Sequence, residues 1–252
     1  MLWVQGHALD PRLVILDKDG TLIDFDNMWH AWFAETMTLL EDAVGLDPAL
    51  CQGIEGSLGV DLARDVWDPA GPLTLASTSE VRLLLAGQLY HHRDLTWDEA
   101  LAVALRAEQG ARASMDQGAL LQPIGDVRGL LRRMRGQGIM TAMATTDERP
   151  SADAHLQALG LSELFDTTLC DGDGVPLKPA PDMALVICQR LGVAPSDAIM
   201  IGDTVADLMM ARAAGLAAAI GVTSGAMPAD ALAPHADWVL DSIHDIHVEA
   251  KG

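Results

Sequence analysis

The segment Asp17-Lys18-Asp19-Gly20-Thr21-Leu22 sets two carboxylates two residues apart, directly after the apolar run Leu13-Val14-Ile15-Leu16. A turn at Gly20 lets the second carboxylate curl back over the site of the first. Asp203, in Gly202-Asp203-Thr204-Val205-Ala206-Asp207, follows a second apolar run, Ile199-Met200-Ile201. Several carboxylates at one rim repel each other strongly unless positive charge joins them. A hard divalent cation with oxygen ligands resolves this, and magnesium suits a sparse carboxylate set completed by water and phosphate. Two further groups fit phosphoryl transfer. Thr145 ends the run Ile139-Met140-Thr141-Ala142-Met143-Ala144, where its hydroxyl and the following amides could hold phosphate oxygens. Lys178 lies in the proline-stiffened loop Leu177-Lys178-Pro179-Ala180-Pro181-Asp182. Such chemistry asks the protein mainly for positioning and positive charge around the phosphoryl oxygens.

The elements that must position these residues follow from periodicity. Leu13–Leu16, Ile139–Ala144, Phe165–Leu169, Ala198–Ile201, Ala217–Val222 and the weaker Trp238–Leu240 read as buried strands. Val127, Leu130, Leu131 and Met134 fall on one helical face. The helices from Pro181 to Leu191 and from Val205 to Ala214 stop at Gly192 and Gly215. Alternating continuous apolar strands and helices imply a parallel sheet covered on both faces. Ligands of such sheets bind beyond the carboxyl ends of the strands, where the aspartates lie. One segment breaks the rhythm. From about Asp24 to about Gly118 only helical patterns occur, with Met28, Trp32 and Phe33 on one face and Leu39 and Leu40 extending it. Asp47-Pro48 starts one helix, Ser79 another bearing Val81, Leu84, Leu85 and Gln88, and the capping box Thr96-Trp97-Asp98-Glu99 a third. The expected fold is α/β: a Rossmann-like, doubly wound core of residues 1–23 and 119–252, interrupted by an all-helical domain at 24–118.

Bulk properties narrow the partners. The 252 residues carry a formal net charge of −20 and are half apolar, enough for a sizeable core. So acidic a surface repels nucleic acid and anionic membranes. No apolar run reaches membrane-spanning length, and the start of the chain lacks a signal-peptide pattern, so a cytoplasmic location is expected. Lysine occurs only at 18, 178 and 251. Cys51, Cys170 and Cys188 are widely spaced and outside any CxxC, arguing against disulfides or structural zinc.

With these residues in order, the chain resembles the haloacid dehalogenase superfamily, specifically its phosphoglycolate-phosphatase-like members with a helical cap. The likeness spans Leu13 to Ile246 and rests on Asp17-x-Asp19-Gly20-Thr21, Thr145, Lys178-Pro179 and Gly202-Asp203-x-x-x-Asp207. It implies Asp17 as nucleophile and Asp19 as general acid and base. It further implies magnesium on Asp17, the Asp19 backbone carbonyl and Asp203, and phosphate on Thr145 and Lys178. Asp207 would support the metal or the lysine, Gly20, Thr21 and Gly202 would complete the motifs, and the insert would be a mobile cap. Thr146 stands where the family often has Asn, so the strand-end role falls on Thr145 or Thr146. Lys18 is unusual where members carry an aromatic or aliphatic residue.

Other patterns carry less. Asp171-Gly172-Asp173-Gly174 imitates a calcium loop, but Val175 and Pro176 stand where an oxygen ligand and a glycine are needed, so it reads as a turn. His91-His92 and His244 with His247 lack further metal ligands nearby and read as solvated positions. Trp29 and Trp32 read as packing of the insert. No GxGxxG, Walker or GxSxG pattern occurs. Within the resembled superfamily, Asp19 argues against dehalogenation, which needs no proton for its leaving group, and the lysine-free insert argues against imine-forming phosphonate cleavage. The expected function is hydrolysis of a small phosphorylated metabolite, phosphoglycolate or a sugar phosphate, by a monomer or homodimer. The alternatives are a β-phosphoglucomutase-like phosphotransferase, for which Arg64, Arg82 and Arg93 are candidate basic groups, and an inactive phosphate-binding module.

Overall fold

The computed structural model describes residues 1–64, 66–115 and 121–250. Two short strands, β1 (Leu2–Val4) and β2 (His7–Leu9), come first, followed by β3 (Leu13–Leu16). Next are α1 (Phe25–Val44), α2 (Pro48–Leu58), β4 (Val60–Asp61), β5 (Val66–Trp67), α3 (Pro72–Leu75), α4 (Thr78–His92) and α5 (Trp97–Met115). The chain continues through α6 (Val127–Gly136), β6 (Met140–Glu148), α7 (Arg149–Ala158), β7 (Thr167–Asp171), α8 (Asp182–Leu191) and β8 (Ala198–Gly202). It closes with α9 (Val205–Ala214), β9 (Ala218–Val222), α10 (Ala229–Leu232), β10 (Trp238–Leu240) and β11 (His247–Val248). These elements form two compact units, Met1–Asp26 with Leu121–Gly252, and Asn27–Leu120.

The first unit is built on a six-stranded parallel sheet of order β10-β9-β8-β3-β6-β7. β3, β8 and β9 are apolar because helices flank the sheet, and every residue of these three strands is buried. β3 is central, and Leu16 is level with Ile201 of β8 and Met143 of β6. That register brings the residues after Leu16, Ile201 and Met143 to one carboxyl-end rim. Helix α6 buries Val127, Leu130, Leu131 and Met134 as the periodicity predicts. Gly192 and Gly215, at φ 64° and 70°, end α8 and α9 in the left-handed conformation.

Three features of this unit depart from the sequence reading. β6 does not stop before Thr145 but runs on to Glu148, with its register against β7 shifting between Ala144 and Glu148. β7 begins at Thr167, two residues after Phe165. A separate antiparallel sheet of order β11-β1-β2 is formed by strands too short to leave a readable alternation.

The second unit is helical. Met28, Trp32, Phe33 and Leu40 are buried along α1, with Leu39 half-buried. Asp47 caps α2 by accepting from the Leu50 amide at 2.9 Å, with Pro48 in the first turn. α4 starts at Thr78 under a capping box of Ser77 and Glu80, earlier than Ser79. Thr96 and Glu99 form the expected box at α5. One short antiparallel ladder, β4 with β5, interrupts the helical pattern after Gly59 turns the chain. Among the described residues no helix is long and apolar enough to cross a membrane.

Candidate active site

Asp17 is the first residue past β3, and its amide donates to the Ile201 carbonyl at 2.9 Å, tying it to the end of β8. The next residues form a tight loop: Gly20 has φ 79°, and the amides of Leu22 and Ile23 both donate to the Lys18 carbonyl. Asp203 follows β8 and is buried. Its Oδ2 accepts from the Ala226 amide at 2.9 Å, and the Thr21 hydroxyl reaches its Oδ1 at 3.5 Å. Gly20 and Gly225 lie against this carboxylate so closely that a β-carbon on either would sit 2.3 Å or 2.1 Å from Oδ2.

Asp207 is fixed by the first turn of α9. Its Oδ2 accepts from the Thr204 hydroxyl at 2.6 Å and the Thr204 amide at 3.1 Å, while its own amide donates to Thr204 Oγ1. Gly202 leaves the room for it, since a β-carbon there would fall 2.4 Å from Asp207 Cγ. Lys178, on the loop before α8, donates through Nζ to Asp17 Oδ1 at 2.5 Å and Asp207 Oδ1 at 2.6 Å.

The carboxylates of Asp17, Asp203 and Asp207 are therefore buried together, with one oxygen from each lying within 4.8 Å of the others. Their electrostatics follow from that crowding. Burial raises the pKa of Asp203 well above the usual carboxylate range, and Asp17 and Asp207 push it further. Burial likewise raises Asp207, against the opposing pull of Lys178. For Lys178 burial disfavours the charge, but Asp17 and Asp207 outweigh it and its pKa rises. One ammonium among three buried carboxylates leaves an excess of negative charge. The donors are all oxygen, so the residues fit a hard divalent cation.

Asp19 stands apart from this cluster. Its Oδ1 accepts from Lys18 Nζ at 2.5 Å, and its side chain keeps 15% of its surface exposed. Burial raises its pKa, partly offset by Lys18. Thr145 is buried just beyond the last regular β6–β7 pair, its Oγ1 accepting from the Asp147 amide at 3.1 Å, and Thr146 is half-buried. Among the described residues neither threonine bonds to the carboxylate cluster.

Sequence reading missed the Ser224-Gly225-Ala226 loop, where the Ser224 hydroxyl also donates to the Gly20 carbonyl at 2.8 Å. A Ser-Gly pair after a strand gives no signal of what it packs against. Thr204 was legible as the partner of Asp207, three residues on in a capping box. The decoys resolve as turns and surface groups. Asp173 accepts from Arg149 Nη2 at 2.5 Å and from the Cys170 amide. His244 Nε2 meets the Ile124 carbonyl, and among the described residues neither histidine pair joins a metal-binding group.

The family described as haloacid dehalogenase-like hydrolase matches residues 11–215. The chain belongs to that family. This hydrolase is 37% identical over 235 residues to a Dickeya dadantii protein named "Probable phosphatase IndB", covering 93% of this chain and 91% of that one. It is 31% identical over 229 residues to a phosphoglycolate phosphatase of Pseudomonas putida, covering 89% and 75%. Its fold matches a crystal structure of a Haemophilus somnus protein described as "a predicted phosphoglycolate phosphatase", with TM-score 0.72, 19% identity, and 95% and 97% of the two chains covered. Asp17, Asp19, Thr145, Lys178, Asp203 and Asp207 all fall inside the matched span of the hydrolase.

Proposed function

We propose that this hydrolase is a magnesium-dependent phosphomonoesterase acting through an aspartyl-phosphate on Asp17. Its substrate would be a small phosphorylated metabolite of the phosphoglycolate or sugar-phosphate kind. The observation that carries the reading is Lys178 Nζ, held between Asp17 Oδ1 and Asp207 Oδ1 beside Asp203. It supplies positive charge next to a buried carboxylate that stands at the carboxyl end of the sheet. A phosphoryl group approaching Asp17 would meet that ammonium at its oxygens.

In the first step an oxygen of Asp17 bonds to phosphorus as the ester P–O bond breaks, and Asp19 gives a proton to the departing oxygen. In the second, Asp19 takes a proton from the water that attacks the acyl phosphate, releasing phosphate and restoring the Asp17 carboxylate. The raised pKa of Asp19 suits a group that must hold a proton first and accept one later. A magnesium ion on Asp17, the Asp19 carbonyl and Asp203, with Asp207 supporting, would neutralise charge on the phosphoryl oxygens when bound. Thr145 or Thr146 would hold a phosphoryl oxygen. The 24–118 insert would set substrate choice, and the cytoplasm would be the place of work. Both carboxylates of the Asp17 motif are present, which speaks against an inactive phosphate-binding module.

The test is to incubate the wild-type, Asp17→Asn and Asp19→Asn proteins with magnesium and an aryl phosphate, quench in acid, and map phosphate by mass spectrometry. Label on Asp17 is expected in the wild type and in Asp19→Asn, none in Asp17→Asn, and no turnover after chelation. Phosphate on another residue, or undiminished turnover in chelator, would falsify the assignment. Phosphoglycolate and sugar phosphates, compared by kcat/KM, then identify the substrate.

A further inference from the structure

Lys18 has no place in the steps above, yet it is a fully buried lysine in the first unit, with no exposed surface. An ammonium carries three N–H donors and no acceptor. Lys18 Nζ has three side-chain acceptors around it: Asp19 Oδ1 at 2.5 Å, His155 Nδ1 at 3.2 Å and Asp147 Oδ2 at 3.4 Å. Asp147 lies on β6 and His155 on α7, and both are buried. Because the ammonium can only donate, Nδ1 of His155 receives, which leaves that ring's proton on Nε2. Buried charge without partners is strongly unfavourable, and the structure supplies an ion pair from β6 and a hydrogen-bond acceptor from α7 besides Asp19. The consequence falls on Asp19. Its Oδ1 is taken by Lys18, while among the described residues Oδ2 accepts no hydrogen bond and the side chain keeps some exposed surface.

We propose that Lys18 is a positioning residue for proton transfer: anchored by Asp147 and His155, its ammonium grips Oδ1 of Asp19 and so presents Oδ2 to the leaving oxygen. A free aspartate side chain rotates about two bonds; this one is pinned at one oxygen by a group that is itself pinned. Losing the anchor leaves the acid in the site but unoriented, so its loss shows only where a proton is needed. This rests on the reading of Asp19 as acid and base.

The experiment compares kcat/KM, which reports steps up to and including phosphoryl transfer to Asp17, for phenyl phosphate and 2,4-dinitrophenyl phosphate. Phenolate is a basic leaving group that needs the proton, whereas dinitrophenolate departs without it. For Lys18→Met, kcat/KM is expected to fall about 10²- to 10⁴-fold on phenyl phosphate, the usual worth of general acid catalysis, but by less than about tenfold on the dinitrophenyl ester. With the latter, acid-quenched phosphoenzyme should accumulate, since the water-activating role is lost as well. Lys18→Met alone takes the ammonium away from the buried Asp147 carboxylate, so the paired variant Lys18→Met/Asp147→Asn, which removes both charges together, is measured beside it. Equal falls on the two esters, or no fall on either, overturn the proposal. Asp19→Asn separates the two levels of failure. If it discriminates between the esters and the Lys18 variants do not, the positioning role alone is wrong. If Asp19→Asn does not discriminate, Asp19 is not the acid, and the role of Lys18 falls with it.

Discussion

Gly20 and Gly202 sit where a β-carbon would collide with a carboxylate of the site. At Gly20 the clash is with Asp203 Oδ2 at 2.3 Å, and the backbone also holds φ 79°. Gly20→Ala therefore combines left-handed strain, worth about 1–3 kcal/mol, with displacement of Asp203 from the Ala226 amide. Gly6 separates the two effects, because it has φ 81° but nothing within 4 Å of its would-be β-carbon. Gly6→Ala should lower the melting temperature and spare magnesium binding. Gly20→Ala should lower the melting temperature and also weaken magnesium binding, measured by calorimetry, by about tenfold or more, the equivalent of about 1.4 kcal/mol. Equal magnesium affinity in the two variants would show that Asp203 has slack. These motif residues were legible because each follows an apolar strand. The anchor of Lys18 was not, since His155 is 137 residues away and reads in isolation as one more histidine on a helix.

At the scale of elements, the turn after β7 is tied to the start of α7. Arg149 donates to Asp173 Oδ2 at 2.5 Å and to the hydroxyl and carbonyl of Thr168. Burial acts to raise the pKa of Asp173, but the Arg149 guanidinium and the Cys170 amide outweigh it and the pKa is lowered. A carboxyl lowered in the folded state adds stability above its unfolded pKa of about 3.9, and that stability is lost as pH falls through the folded value. Arg149 is 35% exposed, so solvent screens the pair and its worth is about 1 kcal/mol. Asp173→Asn should thus lose about that much in urea unfolding at pH 7, and the gap should close as the pH is lowered below about 4. A gap constant with pH would assign the loss to packing. Element boundaries were legible where chemistry marks them. The sequence reading places the start of α4 at Ser79, although Ser77 alone of Ser77, Thr78 and Ser79 has a glutamate three residues on, and it is Ser77 that caps the helix. β1, β2 and β11 have two or three residues each, too few to show a period, and only their pairing reveals them.

Across the whole molecule the charges do not balance. With 36 acidic and 16 basic side chains, carboxylates outnumber cations by more than two to one. Two consequences of salt then compete. Screening weakens exposed pairs such as Arg12 with Asp197 at 3.9 Å and Arg64 with Asp61 at 3.6 Å, each worth about 0–1 kcal/mol. It also relieves the repulsion of a net charge of −20, which acts against the compact state. Moving from about 10 mM to about 150 mM sodium chloride shortens the Debye length from about 30 Å to about 8 Å, so repulsion between distant carboxylates fades first. Contact pairs, only a few ångströms apart, lose little over the same range, and the buried Lys18 and Lys178 pairs lose less still. Repulsion relief should therefore win. The melting temperature, measured with chelator present to exclude site-bound cations, is expected to rise by about 4 °C, equivalent to about 1–2 kcal/mol for a chain of this length. Potassium chloride should act identically, because screening depends on ionic strength and not on the cation. A melting temperature that falls with salt would mean that the arginine pairs, few as they are, outweigh the excess of negative charge.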